Sequence, residues 1–215
     1  MPRLFSHLLL ACILLAPALH AAPVPLTPAK AEALRTRFET RQRGSRSWSA
    51  DFTQTLTMPG LRASIDSEGT FTFRAPDALR IEFTKPAGEL VLILGDRLFL
   101  QKPGKRAVEK SLTGDSAGKP FQALLSLMQG RPPENEAQFD PRVTQEDDRY
   151  VIELTKKPDA TGRLPKRITN IVSAETLDVR EVLVELPNGG SLRYVFRDPA
   201  RNRPVDARLF ALPVE

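Results

Sequence analysis

Between Gly69 and Lys102 the chain alternates apolar and polar residues with period two, and Pro or Gly interrupts the alternation about every ten residues. This pattern predicts consecutive antiparallel strands joined by tight turns. Strand geometry puts residues i, i+2 and i+4 on one face, so Leu79, Ile81 and Phe83 share a face, and Arg80, Glu82 and Thr84 take the other. The run Leu90 to Leu94 is different. It is apolar at every position and needs cover on both sides. Short apolar helices or an apolar ligand can supply the second cover. Alternation alone does not say which face of the sheet is concave.

Upstream, Thr27-Pro28 is a helix start, with Thr as N-cap and Pro at the first helical position. Ala31, Leu34 and Phe38 then fall on one narrow stripe, and Arg41 and Arg43 precede a closing Gly44. Period-two strands follow from Trp48 to Phe73. Downstream, Pro120 and Gly130 bracket a short helix with Phe121, Leu124, Leu125 and Met128 on one face, hung between the loop 112–119 and Arg131-Pro-Pro133. A helix this short needs apolar contacts to persist, so it is either a core plug or a mobile lid. The remaining pattern predicts strands at 139–145, 150–155, 167–173, 177–186, 190–196 and 205–209. With about eleven strands, two helices and no linker, the pattern predicts a mainly β half-open antiparallel barrel, a single domain over 22–215.

The first residues are a separate matter. Met1-Pro-Arg3 is basic, Leu4 to Leu19 is nearly all apolar, and small residues end near Ala21 and Ala22, the form of a cleavable secretory signal over 1–21. Pro17 and the short run count against a retained membrane anchor. Leu10-Ala-Cys12 resembles a lipoprotein cleavage box, but signal-like sequence continues beyond it. The one cysteine, Cys12, and both histidines, His7 and His20, lie in this segment. The exported chain therefore has no thiol nucleophile, disulfide, imidazole base or histidine or cysteine metal ligand, and no cofactor or metal site is expected.

The formal charge of +5 falls by one with the loss of Arg3, and the charges are interspersed along the strands, so no nucleic-acid partner is expected. A local cluster of Lys156, Lys157, Arg163, Lys166 and Arg167 surrounds the turn at 158–162. It reads as an exposed hairpin, with anionic headgroups or an acidic partner as the alternatives.

Several stretches together resemble the periplasmic outer-membrane lipoprotein carrier family, the LolA type. Phe52-Thr-Gln54 is similar to an early Phe-x-Gln. Gly69 with Phe71, Phe73, Arg74-Ala-Pro76-Asp77 and Leu79-Arg80 resembles a Gly-rich strand leading into an Arg-Pro-Asn segment. Leu92 to Leu100 around Gly95-Asp96 resembles the family's hairpin, and Pro120-Phe121 with Leu124-Leu125 its lid helix. Leu154 to Lys157 through Leu164 and Ile171, then Asn202, Phe210 and Pro213, resemble a later hairpin and the closing strand. The resemblance implies helices covering a concave apolar face that opens to take acyl chains, without cofactor or catalysis. It implies a periplasmic monomer that takes an acylated lipoprotein or other lipid from an inner-membrane ABC-type release complex to an outer-membrane acceptor lipoprotein.

The lipid-contacting residues expected on this basis are Phe71, Phe73, Leu79, Ile81, Phe83, Leu92 and Leu94 from the sheet, and Phe121, Leu124, Leu125 and Met128 from the lid. One departure stands out: the arginine that helps close the family's lid falls on Ala75, with Arg74 one residue earlier on the other strand face. Closure is then expected from Arg74 or Arg80, or is weaker. Three readings compete with lipoprotein carriage. The cargo can be another amphiphile, such as a glycolipid or an acylated pigment. The concavity can be filled by the chain's own side chains, as in a structural domain. An enzyme would need converging carboxylates such as Glu82 or Glu89.

Overall fold

The computed structural model describes residues 23–114, 118–131, 136–162 and 164–211. The expected signal segment, and with it Cys12, His7 and His20, lies outside the described residues, as do Arg163, Pro132, Pro133 and Pro213. The chain runs β1 (Val24–Pro25), α1 (Pro28–Arg43), β2 (Ser47–Thr57), β3 (Ile65–Arg74), β4 (Ala78–Lys85), β5 (Ala87–Leu94), β6 (Arg97–Gln101) and β7 (Val108–Ser111). It continues with α2 (Lys119–Met128), β8 (Phe139–Glu146), β9 (Arg149–Lys156), β10 (Arg167–Ser173), β11 (Val179–Glu185) and β12 (Ser191–Arg201).

All strands form one 12-stranded antiparallel sheet in the order β1-β8-β9-β10-β11-β12-β2-β3-β4-β5-β6-β7, open between β1 and β7. The central seam is β12 against β2, where a residue late in the chain meets one early in it, as in Phe196 opposite Phe52. Two expectations are corrected here. β1 is an extra strand of two residues, too short to show a period, and it pairs with β8 at Gln145 and Thr144. The strand expected at 205–209 is instead a 3-10 turn over Ala207–Phe210, opened by Asp206, whose carboxylate accepts from the Arg208 amide at 2.9 Å.

α1 begins as its sequence dictates: the Thr27 hydroxyl accepts from the Lys30 amide at 3.4 Å and Pro28 is the first helical residue. Its buried Leu34, with Phe38, packs on Val172 and Leu177 and on Val143, Tyr150 and Ile152. The helix therefore lies over the β8–β11 half of the sheet. A buried polar group ties its C-terminal end to that half. The Arg201 guanidinium donates to Asp178 at 2.5 Å and to Gln42 at 2.9 Å, and also to the Ser45 hydroxyl. Asp178 in turn accepts from the Trp48 indole at 3.3 Å.

α2 covers the other half of the same face. Its buried Leu125 and Met128 join Phe71, Phe73, Leu79, Ile81, Ile93 and Leu98 in the largest apolar cluster. The doubly apolar β5 is covered on both sides, as its pattern requires. Val91 and Ile93 face α2, whereas Leu90, Leu92 and Leu94 face the 3-10 turn through Phe210 and Val205.

Candidate functional site

Strand parity divides the expected lipid-contacting residues. Phe71, Phe73, Leu79, Ile81 and Phe83 share the inner face, on which α1 and α2 lie, and Phe121, Leu124, Leu125 and Met128 of α2 pack against them. Leu92 and Leu94 do not belong with this group. The register sets Leu92 opposite Arg80 and Leu94 opposite Ala78, on the outer face, where they pack with Phe210. The physical reason is the period of two: Val91 and Ile93 are the β5 residues aligned with Ile81 and Leu79.

The two arginines expected to close α2 are likewise on the outer face. The Arg74 guanidinium lies 4.4 Å from the centre of the Phe210 ring, and Arg80 donates to the Leu209 carbonyl at 2.9 Å and pairs with Glu82 at 3.0 Å. They fasten the C-terminal turn and have no part in holding α2.

Gln129 makes two polar contacts at the end of α2, and Gln122 has a partner as well. The Gln129 amide donates to the Pro76 carbonyl at 2.8 Å, and Gln129 also accepts from Arg131. The N-cap Gly118 offers no side-chain bond, and the helix has no acid in its first turn and no base in its last. Leu125 and Met128, both buried, supply its apolar attachment. Gly130, at φ +66, sits against α1: a Cβ there would lie 2.9 Å from the Arg43 amide nitrogen, so only glycine lets the helices approach.

Two recesses flank α2. One of about 550 Å³ is bounded by Asp77, Asp96, Leu112, Thr113 and the α2 side chains Gln122 and Ser126. Thr113 donates to Asp96 through its hydroxyl at 2.8 Å and its amide at 3.1 Å, and Ser111 does so at 3.1 Å. These bonds, led by the Thr113 hydroxyl, hold the Asp96 carboxyl below its ordinary pKa. The other recess, about 300 Å³, lies between Ala75, Phe73, Met128, Gln42 and Arg43. It is the space beside Ala75 that a longer side chain would occupy.

Beneath α2 the inner face is filled. Leu79, Ile93 and Leu98 have 0% exposure, so the sheet directly under α2 is packed and open space on this half lies in the two recesses beside the helix. Apolar surface that is only partly covered lies elsewhere. Across the sheet the register aligns Ile65, Leu56, Leu192, Val184, Ile168 and Leu154 as one continuous row on the inner face. Ile65 is exposed, the other five are partly buried, and none enters a core cluster. One step inward the row meets Tyr194, which packs with Phe52 at 5.8 Å and leads to Phe83 and to Trp48 with Phe71 and Phe196. Burial, then the Glu89 charge, pushes the Tyr194 phenol up to about 12, so it stays neutral and serves as an amphipathic wall.

Sequence reading missed this row because its members sit on strands far apart in the chain. Each strand was legible; the β12–β2 seam that aligns them was not. Among the described residues no group of three or more His, Cys, Asp and Glu is placed to hold a metal ion.

The fold is an open antiparallel sheet whose apolar inner face is partly roofed by two helices. The sequence profile of the outer membrane lipoprotein carrier protein LolA matches residues 43–213. The chain belongs to that family. It is 34% identical over 77 residues to an outer-membrane lipoprotein carrier protein of Methylibium petroleiphilum, an alignment that covers 36% of this chain and 38% of that protein. The chain thus spans well under half the length of that relative.

Among solved structures, an uncharacterized conserved protein from Thermus thermophilus superposes at TM-score 0.54 with 11% identity, covering 86% of this chain and 94% of that one. A chain of the Pseudomonas aeruginosa MucA/MucB complex does so at TM-score 0.50 with 14% identity, covering 85% of this chain and 61% of that one. These two likenesses concern the fold.

Proposed function

We propose that the protein is a periplasmic carrier, exported by a cleaved signal over 1–21, that shelters the acyl chains of lipoproteins on the inner face of its sheet. In this reading it receives cargo from an inner-membrane ABC-type release complex and yields it to an outer-membrane acceptor lipoprotein, without cofactor and without catalysis. The observation that carries the reading is the partly exposed apolar row from Ile65 to Leu154, outside the packed clusters and continuous with the aromatic residues around Phe52. Each methylene taken out of water contributes ~0.8 kcal/mol, so acyl chains cannot cross an aqueous space unshielded. The row gives them a first foothold. α2, held in part by apolar contacts, can then yield to them the face formed by Phe71, Phe73, Leu79, Ile81 and Phe83 with Phe121, Leu124, Leu125 and Met128. Leu92 and Leu94 are left out because they face the C-terminal turn.

A carrier for another amphiphile is a second reading. The 300 Å³ space beside Ala75 favours it, since the family's closing arginine falls there. Native mass spectrometry of protein purified from the periplasm without detergent, with solvent extraction of what it carries, tests both. An acylated lipoprotein supports the first reading and a different lipid the second. Bare mass, together with failure of added acylated peptides to bind, would discard both. In the same assay Leu192→Asp and Ile168→Asp should abolish retention while the circular dichroism stays that of the wild type.

A further inference from the structure

Antiparallel topology sends the hairpin turns of the sheet alternately to its two ends, and the two sets carry opposite charge. The turns β3–β4, β5–β6, β8–β9 and β10–β11 hold Asp77, Asp96, Asp147, Asp148, Glu175 and Asp178, with no cation among the described residues. The turns β2–β3, β6–β7 and β9–β10, at the other end, hold Arg62, Lys102, Lys105, Arg106, Lys157 and Lys166, against Asp159 alone among the described residues.

Acids lie at that end as well, among them Glu89, Glu136 and Asp140 by sequence position and Glu153, which pairs with Arg167 at 3.7 Å. Glu68 is taken up by Lys85 at 3.2 Å and Glu185 by Arg167 at 3.4 Å, and Asp66 accepts from the Thr55 hydroxyl at 2.8 Å. Arg62, Lys102, Lys105, Lys157 and Lys166 have no ion-pair partner among the described residues. The same end carries exposed apolar side chains: Leu61 in the β2–β3 turn at 48%, Ile65 at 49% and Val108 at 55%. The apolar row of the inner face begins there, at Ile65.

The geometry points to this end of the sheet as a docking surface for a bilayer with anionic headgroups. Cations alone would suit any acidic partner. Two further features select a membrane. The cations are spread from the β9–β10 turn to the β6–β7 turn, eight strand steps apart in the sheet, a contour of roughly 40 Å at ~4.8 Å per strand. A fluid, laterally extended charge field meets such a spread better than one acidic patch. Interleaved with them, Leu61, Ile65 and Val108 are the apolar side chains that a headgroup region accepts. Docked this way, the protein would present the mouth of its apolar row to the lipid. The inference goes beyond carriage and does not rest on it, because the test needs no acylated protein.

The test is co-sedimentation of the protein, purified after export, with vesicles of phosphatidylglycerol and phosphatidylcholine and with vesicles of phosphatidylcholine alone. Binding is expected on the anionic vesicles only, and should be lost at high salt. Each cation near such a surface contributes about fivefold to partition. The pairs Lys157→Gln/Lys166→Gln and Lys102→Gln/Lys105→Gln should therefore each weaken it roughly 25-fold, and Leu61→Ser/Ile65→Ser should weaken it further, with thermal unfolding unchanged. Glu175→Gln, at the acidic end, should bind as wild type. Equal binding by the lysine variants, equal binding to neutral vesicles, or no vesicle binding at all would overturn the proposal. The variants leave residues 1–22 untouched, so binding through any retained leader would appear as equal binding and count against it. Cargo loss with vesicle binding intact would refute carriage alone.

Discussion

Replacing Arg201 by Met isolates what holds α1 against the sheet. The Arg201 side chain is 12% exposed and its partner Asp178 10%, and the pair is 2.5 Å apart. Removing the guanidinium leaves a buried carboxylate whose remaining support is the Trp48 indole at 3.3 Å and Arg41 at 3.8 Å. Breaking a buried pair from one side costs about 3–5 kcal/mol, and Arg41 can move in, so the lower end, about 3 kcal/mol, is expected. Gln42 and Ser45, both buried, lose their donor as well, which adds to the same change.

The double variant Arg201→Met/Asp178→Leu removes both charges. It should cost only ~1 kcal/mol, from the unpaired indole and the polar groups of Gln42 and Ser45. Asp178→Leu alone leaves a buried arginine and should resemble Arg201→Met. Urea unfolding followed by tryptophan fluorescence reads this directly, because Trp48 is the only tryptophan and touches Asp178. The coupling between the two sites should then be several kcal/mol, with unchanged urea dependence. If the single changes simply add in the double variant, the Arg201–Asp178 contact is not what fixes α1 to the sheet.

Three further outcomes are expected. Gly69→Ala should destabilise by about 2–3 kcal/mol, because its Cβ would lie 2.6 Å from the buried Phe52 ring, whereas Gly44→Ala, with no contact nearer than 3.5 Å, should be close to neutral in the same melts. Leu124→Asp should strip hydrogen-exchange protection from α2 while the amides of β2 to β5 keep theirs; loss of both together would make α2 ordinary core. The Asp96 carboxyl should titrate below the ordinary aspartate range by NMR, and Thr113→Val should move it back up. A folded pKa depressed in this way gives support that is present above the unfolded value and fades as pH falls through the folded one, so the 111–114 segment should loosen only in acid.

Much of the architecture could be read from local pattern. Thr27-Pro28 and Gly44 delimit α1, and the uninterrupted apolar run of β5 required cover on both faces, which it has. The errors share one cause, which is that parity within a strand does not say what lies over each face. The need for cover on both sides of β5 does not say which parity α2 takes, and Leu92 and Leu94 have the other parity from Val91 and Ile93. The second cover is Phe210, from a segment whose short apolar–polar alternation also reads as strand and which the Asp206 cap turns into a 3-10 helix instead. Arg74 and Arg80 follow the same logic: they lie on the outer face with Leu92, so the turn they secure is the C-terminal one.

This placement changes how α2 can be released. With neither Arg74 nor Arg80 on its side of the sheet and an open space beside Ala75, α2 is seated through Leu125 and Met128, which fill the face that cargo would occupy in the proposed reading. If the protein carries acyl chains as proposed, helix and acyl chain compete for the same apolar surface. The free energy of opening is then largely offset by the chain that replaces the helix, provided the chain can first find accessible sheet. In the proposed reading the row from Ile65 to Leu154 is that sheet: it is partly exposed and lies outside the packed clusters, so cargo would touch it before α2 moves. Changes in the row should therefore slow loading, whereas changes in Leu125 or Met128 that weaken the seat should speed it. A carrier that waited for spontaneous opening of α2 would show the opposite sensitivity, with loading rate following α2 stability and indifferent to Leu192 or Ile168.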